Sequence, residues 1–319
     1  MYAEYFIHPN DAKALDAMKS IPGFTMLSKK FSDIFVERGV KISNLSSKMK
    51  ISESQLPEIY CMLPPICEKL QISVPELYLE QNPEINAYTT GDNTPCIVLT
   101  SGLLTNCSPD VVSTVMAHEC GHIVCHHVLY KTMVNFILSV GTSILNMPFL
   151  SFALQYAMLY WDRCSEYSAD RAAAYVSGGS DAVVKTMMQL ASGSPNLSER
   201  VNHDEFLKQA EEFKSFNDNS AWNKFLMYWQ LLEENHPFLV DRASDIVEWC
   251  KSKDYEDLCN DVPYRPANMR PHCPKCNQPI AEDTNFCGAC GTKIVRCPGC
   301  NALFTEEDKF CDKCGSKLN

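Results

Sequence analysis

Basic residues are in short supply in this chain. It carries 28 lysines and arginines against 39 aspartates and glutamates, a formal net charge of −11. A phosphate backbone needs the opposite excess, so a nucleic-acid partner is excluded at this level. No export signal is visible or expected: Met1–Tyr5 has neither a basic start nor an apolar run ending in small residues. A disulfide scaffold is the next exclusion, despite 17 cysteines. Eight of these form four Cys-x-x-Cys pairs near the end, and nine are scattered as free buried thiols usually are. A reducing cytoplasm is the expected home. Hydrophobic content of 45% with 21% charged residues excludes a disordered chain. A length of 319 residues allows one sizeable core plus a small module.

A continuous membrane span is also missing. Thr132–Trp161 carries no charge, but Asn135, Asn146 and Gln155 interrupt it and Pro148 divides it. The pieces, roughly 14 residues each, fall short of the about 20 that cross a bilayer. A helical hairpin that packs on the protein or touches a membrane surface is expected, with a true span as the alternative.

Histidine is rare too, with 8 in the chain, which makes the pentad His118-Glu119-Cys120-Gly121-His122 informative. Residues four apart share one face of a helix, so both rings can reach one zinc ion. Glu119 then stands beside the metal's open position, where it can take a proton from bound water. The lead-in supports a helix: Ser108 as hydroxyl N-cap, Pro109 at the first helical position, Asp110 in the first turn. Val111, Val112, Val115 and Met116 follow at helical spacing. Gly121 costs roughly 1 kcal/mol inside a helix, which is tolerable where another backbone passes close by.

Residues 1 to about 75 read as helices with a proline-punctuated connection, and 181–260 again as helices. Glu76–Glu80 and Cys96–Thr100 read as strands, with a short strand ending in a turn over Asn86–Gly91. A small sheet therefore precedes the pentad helix, so a sheet edge can hold an extended substrate.

A catalytic zinc takes three protein ligands and a water. His126 is eight residues from His118, roughly 12 Å along a straight helix, too far for one ion. His126 and His127 are expected to be solvated or to support the ligands from behind. Glu166 and Asp170, four apart, are better placed: one carboxylate can bind metal while the other orients an imidazole.

With these residues the chain resembles the HtpX-like and CAAX-prenyl-protease-like zinc metallopeptidases, a gluzincin group. The matching stretches are Pro75–Leu79, Ile85–Tyr88, Ile97–Leu104, the pentad with His126 and His127, Ser165–Arg171, and His236-Pro237 followed by Arg242. Cys120 stands where the group usually has an aliphatic residue. The resemblance covers roughly residues 1–260 and implies an α+β, mainly helical zincin-type domain. It implies His118, His122 and Glu166 as ligands of a catalytic zinc, Glu119 as general base and proton donor, and Asp170 as orienting a ligand. His236 and Arg242 would approach the site from a later helix, His236 to stabilise an oxyanion, and Asn86 would contact substrate backbone.

The tail has its own signature. Cys273, Cys276, Cys287 and Cys290 form one unit, and Cys297, Cys300, Cys311 and Cys314 a second with the same spacing. Each supplies a four-thiolate site for a structural zinc, and the tail resembles a double zinc ribbon. Its lysines and arginines are matched by acids, and the thiolates leave the folded module acidic, so a protein partner is expected rather than nucleic acid. The domains expected are a peptidase over 1–262, a linker over 263–272 and the ribbons over 273–319. The function expected is a cytoplasmic zinc endopeptidase acting on polypeptides, with one catalytic and two structural zinc ions. The alternatives are a membrane-embedded protease of the same group and a zinc-binding scaffold or chaperone-like protein.

Overall fold

The computed structural model describes the chain except residues 1–2, 23, 32–36, 141–151, 217–238, 265–270, 277, 279, 281–283, 301, 306–307, 312–313 and 318–319. Two compact units result, Met1–Asp261 and Val262–Asn319. The expected linker lies mostly outside the described residues.

The first unit begins with helices α1 (Ala3–Phe6), α2 (Pro9–Lys19), α3 (Phe24–Phe31) and α4 (Glu37–Ser47). Strand β1 (Met49–Ile51) follows, then α5 (Pro57–Tyr60) and α6 (Leu63–Leu70). The all-helical expectation for this stretch is thus corrected. Ile51 is buried and β1 runs antiparallel to β2, Ile51 opposite Leu77. A three-residue strand with Lys50 at its centre is too short for alternation to show.

Strands β2 (Glu76–Glu80), β3 (Ala87–Thr90) and β4 (Cys96–Thr100) complete a sheet of order β1-β2-β4-β3. β2 and β4 are parallel; β3 runs antiparallel to β4 and is the outermost strand on its side. All of β4 is buried, as its unbroken apolar run requires. Helices α7 (Ser101–Asn106), α8 (Pro109–Val124), α9 (Val128–Val140) and α10 (Phe152–Ser177) come next. The unit ends with α11 (Asp181–Ser192), α12 (Pro195–Ser198), α13 (His203–Phe216), α14 (Leu239–Cys250) and α15 (Lys253–Cys259).

Helix α8 lies at the centre, between β3, α6, α10 and α11. Pro109 opens it as expected, but Ser108 does not cap it through its hydroxyl: the backbone is extended there and the buried Oγ makes no helix bond. α8 and α10 approach closely because small residues face each other. A Cβ on Gly121 would fall 2.8 Å from Ala169 Cα and 2.9 Å from its carbonyl oxygen, which is the close backbone approach that the glycine implied. This contact sets the distance between the pentad and the carboxylates of α10.

The described parts of the uncharged segment pack on the protein. Met133 and Val134 of α9 share one core with Leu154, Met158, Leu159 and Trp161 of α10 and with Met18 and Phe24 from the N-terminal helices. Among the described residues no helix is long and apolar enough to cross a membrane. The hairpin tip expected around Pro148 lies outside them.

In the second unit, strands β5 (Ile294–Arg296) and β6 (Leu303–Thr305) pair antiparallel. Ile294 packs with Cys273 and Cys287, and Phe304 with Cys297 and Cys311.

Candidate metal centre

His118 and His122 stand one turn apart on α8, and their rings meet edge to face at 4.9 Å. Each ring has its Nδ1 occupied: His118 Nδ1 lies 2.9 Å from Asp170 Oδ1 and His122 Nδ1 lies 3.1 Å from His127 Nδ1. Both Nε2 atoms therefore turn toward α10. They reach Glu166, His118 Nε2 at 3.3 Å from Oε2 and His122 Nε2 at 3.2 Å from Oε1. Two donors bonded to one tetrahedral zinc at about 2 Å stand roughly 3.3 Å apart, so the spacing fits. All three residues are buried, and their ligand atoms lie within 4.8 Å of one another.

Cations hold the carboxylates. Lys131 Nζ lies 2.8 Å from Glu166 Oε1, and Arg242 Nη1 lies 3.0 Å from Oε2. Arg242 also donates to Asp170 through Nε and Nη2, both at 2.8 Å. Burial works against the charged forms, but these cations win and hold Glu166 well below the usual carboxylate range. Asp170 is lowered in the same way, chiefly by Arg242 against burial. For His118, burial opposes charging, yet Asp170 and Glu166 push it up to about 9 in the metal-free site. His122 is lowered well below its ordinary value by burial and by Lys131.

Glu119 is 3% exposed. The Thr89 hydroxyl on β3 donates to its Oε2 at 2.6 Å. His118 and Glu119 line a small cavity of about 30 Å³ together with Asp170 and Arg242, and its other walls include Val115, Val183, Met187 and Leu190. Asn86, just before β3, lines the same cavity. Its backbone N–H donates to Thr100 Oγ1 at 3.0 Å, which fixes the entry to the strand.

Of the predicted site residues, the fold brings His118, Glu119, His122, Glu166, Asp170, Arg242 and Asn86 together. His236 lies outside the described residues. The two trailing histidines separate: His126 is exposed with a left-handed backbone (φ 59°), while His127 is buried behind His122. Sequence reasoning missed Thr89, Lys131 and Asp11. The alternation of β3 carries a signal for Thr89, since Ala87 and Thr89 are its buried positions. Nothing local marks Asp11, whose partners His127, Trp161 and Ser168 are far along the chain.

In the second unit the sulfurs of Cys273 and Cys290 lie 3.7 Å apart and those of Cys276 and Cys287 3.6 Å. In the next group, Cys297 to Cys314 and Cys300 to Cys311 are each 3.5 Å. Corners of a tetrahedron with bonds of about 2.3 Å are roughly 3.8 Å apart, and a disulfide would need about 2 Å. Each set fits one zinc. Backbone amides support them, Lys275 N donating to Cys273 Sγ and Gly299 N to Cys297 Sγ.

Comparison with known proteins agrees with this geometry. The family model of the double zinc ribbon matches residues 273–315, and that of peptidase family M48 matches residues 54–250. The plastoglobule-localized metallopeptidase 48, chloroplastic, of Arabidopsis thaliana is 31% identical over 261 residues, which cover 80% of this chain and 75% of that protein. The chain belongs to peptidase family M48: it is a zinc metallopeptidase with a C-terminal double zinc ribbon.

Proposed function

We propose that the protein is an endopeptidase that hydrolyses peptide bonds in polypeptides, with His118, His122 and Glu166 as zinc ligands and Glu119 as general base. The observation that carries this reading is that His118, one of three convergent metal donors, shares a cavity with Glu119. A zinc held by these three residues would supply Lewis-acid chemistry, polarising the scissile carbonyl and bringing the pKa of a water toward neutrality. Glu119 takes the proton from the attacking water and passes it to the departing amide nitrogen. Thr89 holds one oxygen of Glu119 and leaves the other to the water. Asp170 orients His118, and Arg242 acts by clamping Asp170 and Glu166 in register. Asn86 and the outer edge of β3 bind the extended substrate backbone. His236 stabilises the oxyanion from the segment before α14.

Two further zinc ions in the ribbons have a structural role, and the acidic module docks to a protein partner. Misfolded or membrane-associated proteins are the substrate class proposed, in quality control or processing. A reducing, cytoplasmic setting suits the free thiols. Contact of residues 132–161 with a membrane surface is part of the same proposal, and the Arabidopsis relative is named as plastoglobule-localized.

Glu119→Gln tests the central step. It is expected to keep its zinc while hydrolysis of casein falls by at least about 100-fold. Turnover equal to that of the unaltered protein, and abolished by a chelator in both, would refute Glu119 as base.

A further inference from the structure

Behind His122 the hydrogen bonds run away from the cavity in a line. His122 Nδ1 is 3.1 Å from His127 Nδ1, and His127 Nε2 is 3.0 Å from Asp11 Oδ2. His122, His127 and Asp11 are each 1% exposed. Asp11 accepts two more bonds, from Trp161 Nε1 to Oδ1 at 2.9 Å and from Ser168 Oγ to Oδ2 at 2.6 Å. The Trp161 ring stands edge-on to His127 at 5.7 Å, which keeps that imidazole from turning. Asp11 belongs to α2, outside the residues 54–250 that match the family model.

With zinc on His122, Asp11 ionised and His127 neutral, the hydrogens along this line have one arrangement. An ionised Asp11 only accepts, so His127 carries its hydrogen on Nε2. Neutral His127 then offers a lone pair at Nδ1, and the hydrogen between the two rings belongs to His122 Nδ1. His122 Nε2 is left as a lone pair facing Glu166. We infer that Asp11 and His127 are positioning residues that fix His122 in the tautomer able to bind metal through Nε2, with the N-terminal helix α2 as the anchor. This rests on His122 being a zinc ligand.

Asp11→Asn probes the arrangement with almost no change of shape. Trp161 Nε1 is a donor only, so the new amide must turn its oxygen to Trp161 and its NH2 to His127 and Ser168. His127 Nε2 then has to accept, and the His127 hydrogen moves to Nδ1. It meets His122 Nδ1, which must give up its own hydrogen there and carry it on Nε2, where the metal belongs.

The experiment is chelator competition on the full chain, following the zinc that His122→Ala loses. Asp11→Asn and His127→Leu are expected to weaken that zinc roughly 10- to 100-fold. His127→Asn, whose amide oxygen can replace the ring Nδ1 as acceptor, should stay within about threefold. Long-range proton–nitrogen spectra of 15N-histidine protein should show the His127 hydrogen on Nε2, moving to Nδ1 in Asp11→Asn. Unchanged affinity in Asp11→Asn, or His127→Asn as weak as His127→Leu, overturns the inference. Should Asp11→Asn not fold, the two His127 variants decide. Full zinc content in His122→Ala would instead sink the ligand assignment itself, which separates the two failures.

Discussion

Lys131 and Asp162, the charged residues at the two ends of the uncharged segment, are bound to each other at 2.9 Å. The pair ties α9 to α10 at the base of the hairpin, and the same ammonium reaches Glu166. One ammonium therefore serves both the α9–α10 contact and the placement of a candidate zinc ligand. Lys131→Met keeps most of the stem and removes the charge, leaving Glu166 buried with one cation fewer. The expected destabilisation is about 2–4 kcal/mol. Little of it comes from Asp162, whose side chain is 29% exposed and can be solvated. Urea unfolding of the zinc-loaded protein measures this; a loss below about 0.5 kcal/mol, typical of a surface ion pair, would remove the hairpin lock.

Much of this site was legible because its signals are local. Residues four apart on α8 and again on α10 define two helix faces, and three of the four strands of the small sheet, β2, β3 and β4, show as apolar or alternating runs. What joins the faces is not local. Ala169 against Gly121 sets their spacing, and a glycine says only that something passes close, not what. Asp11 reaches His127 through tertiary packing alone. Ser108 has the right type for a cap and the right backbone, yet its hydroxyl is buried away from the helix N–H groups. Residue type gives the capacity to bond; the surrounding packing decides whether the bond is made.

Gly121→Ala tests the spacing between α8 and α10. Alanine is the better helix former by about 1 kcal/mol. Here its methyl would press on Ala169 backbone atoms at 2.8 and 2.9 Å, and overpacking of that kind costs roughly 1–3 kcal/mol. The net effect should be a lower melting temperature, and the widened gap should draw Glu166 away from His118 and His122. Both melting temperature and retained zinc are expected to fall. A stabilised variant with full zinc content would show that α10 stands further off.

Zinc uptake at the peptidase site should depend on pH in one direction. In the metal-free site Asp170 and Glu166 outweigh burial and raise His118 to about 9, so at neutral pH the ring holds a proton that zinc must displace. His122, lowered by burial and Lys131, holds none. Raising the pH favours binding: affinity should climb about tenfold per pH unit from 7 to 8 and level off above 9. Calorimetry in two buffers should find about one proton released at pH 7. Affinity that is flat across this range would mean His118 is already neutral in the free site.

The ribbons should hold their metals independently. Cys273, Cys276, Cys287 and Cys290 gather around one point with Ile294, and Cys297, Cys300, Cys311 and Cys314 around another with Phe304. So few apolar side chains cannot order either unit alone, and metal binding has to supply most of the folding free energy. Cys276→Ser should release the first zinc and open that unit, making Lys275 and Lys293 quick to be cut by trypsin. The second unit keeps its four thiolates and Phe304, so total zinc should fall from three per chain to two, and to one when residues 273–319 are removed. A Cys276→Ser protein with a single zinc would instead show that the β5–β6 hairpin couples both units into one folding step.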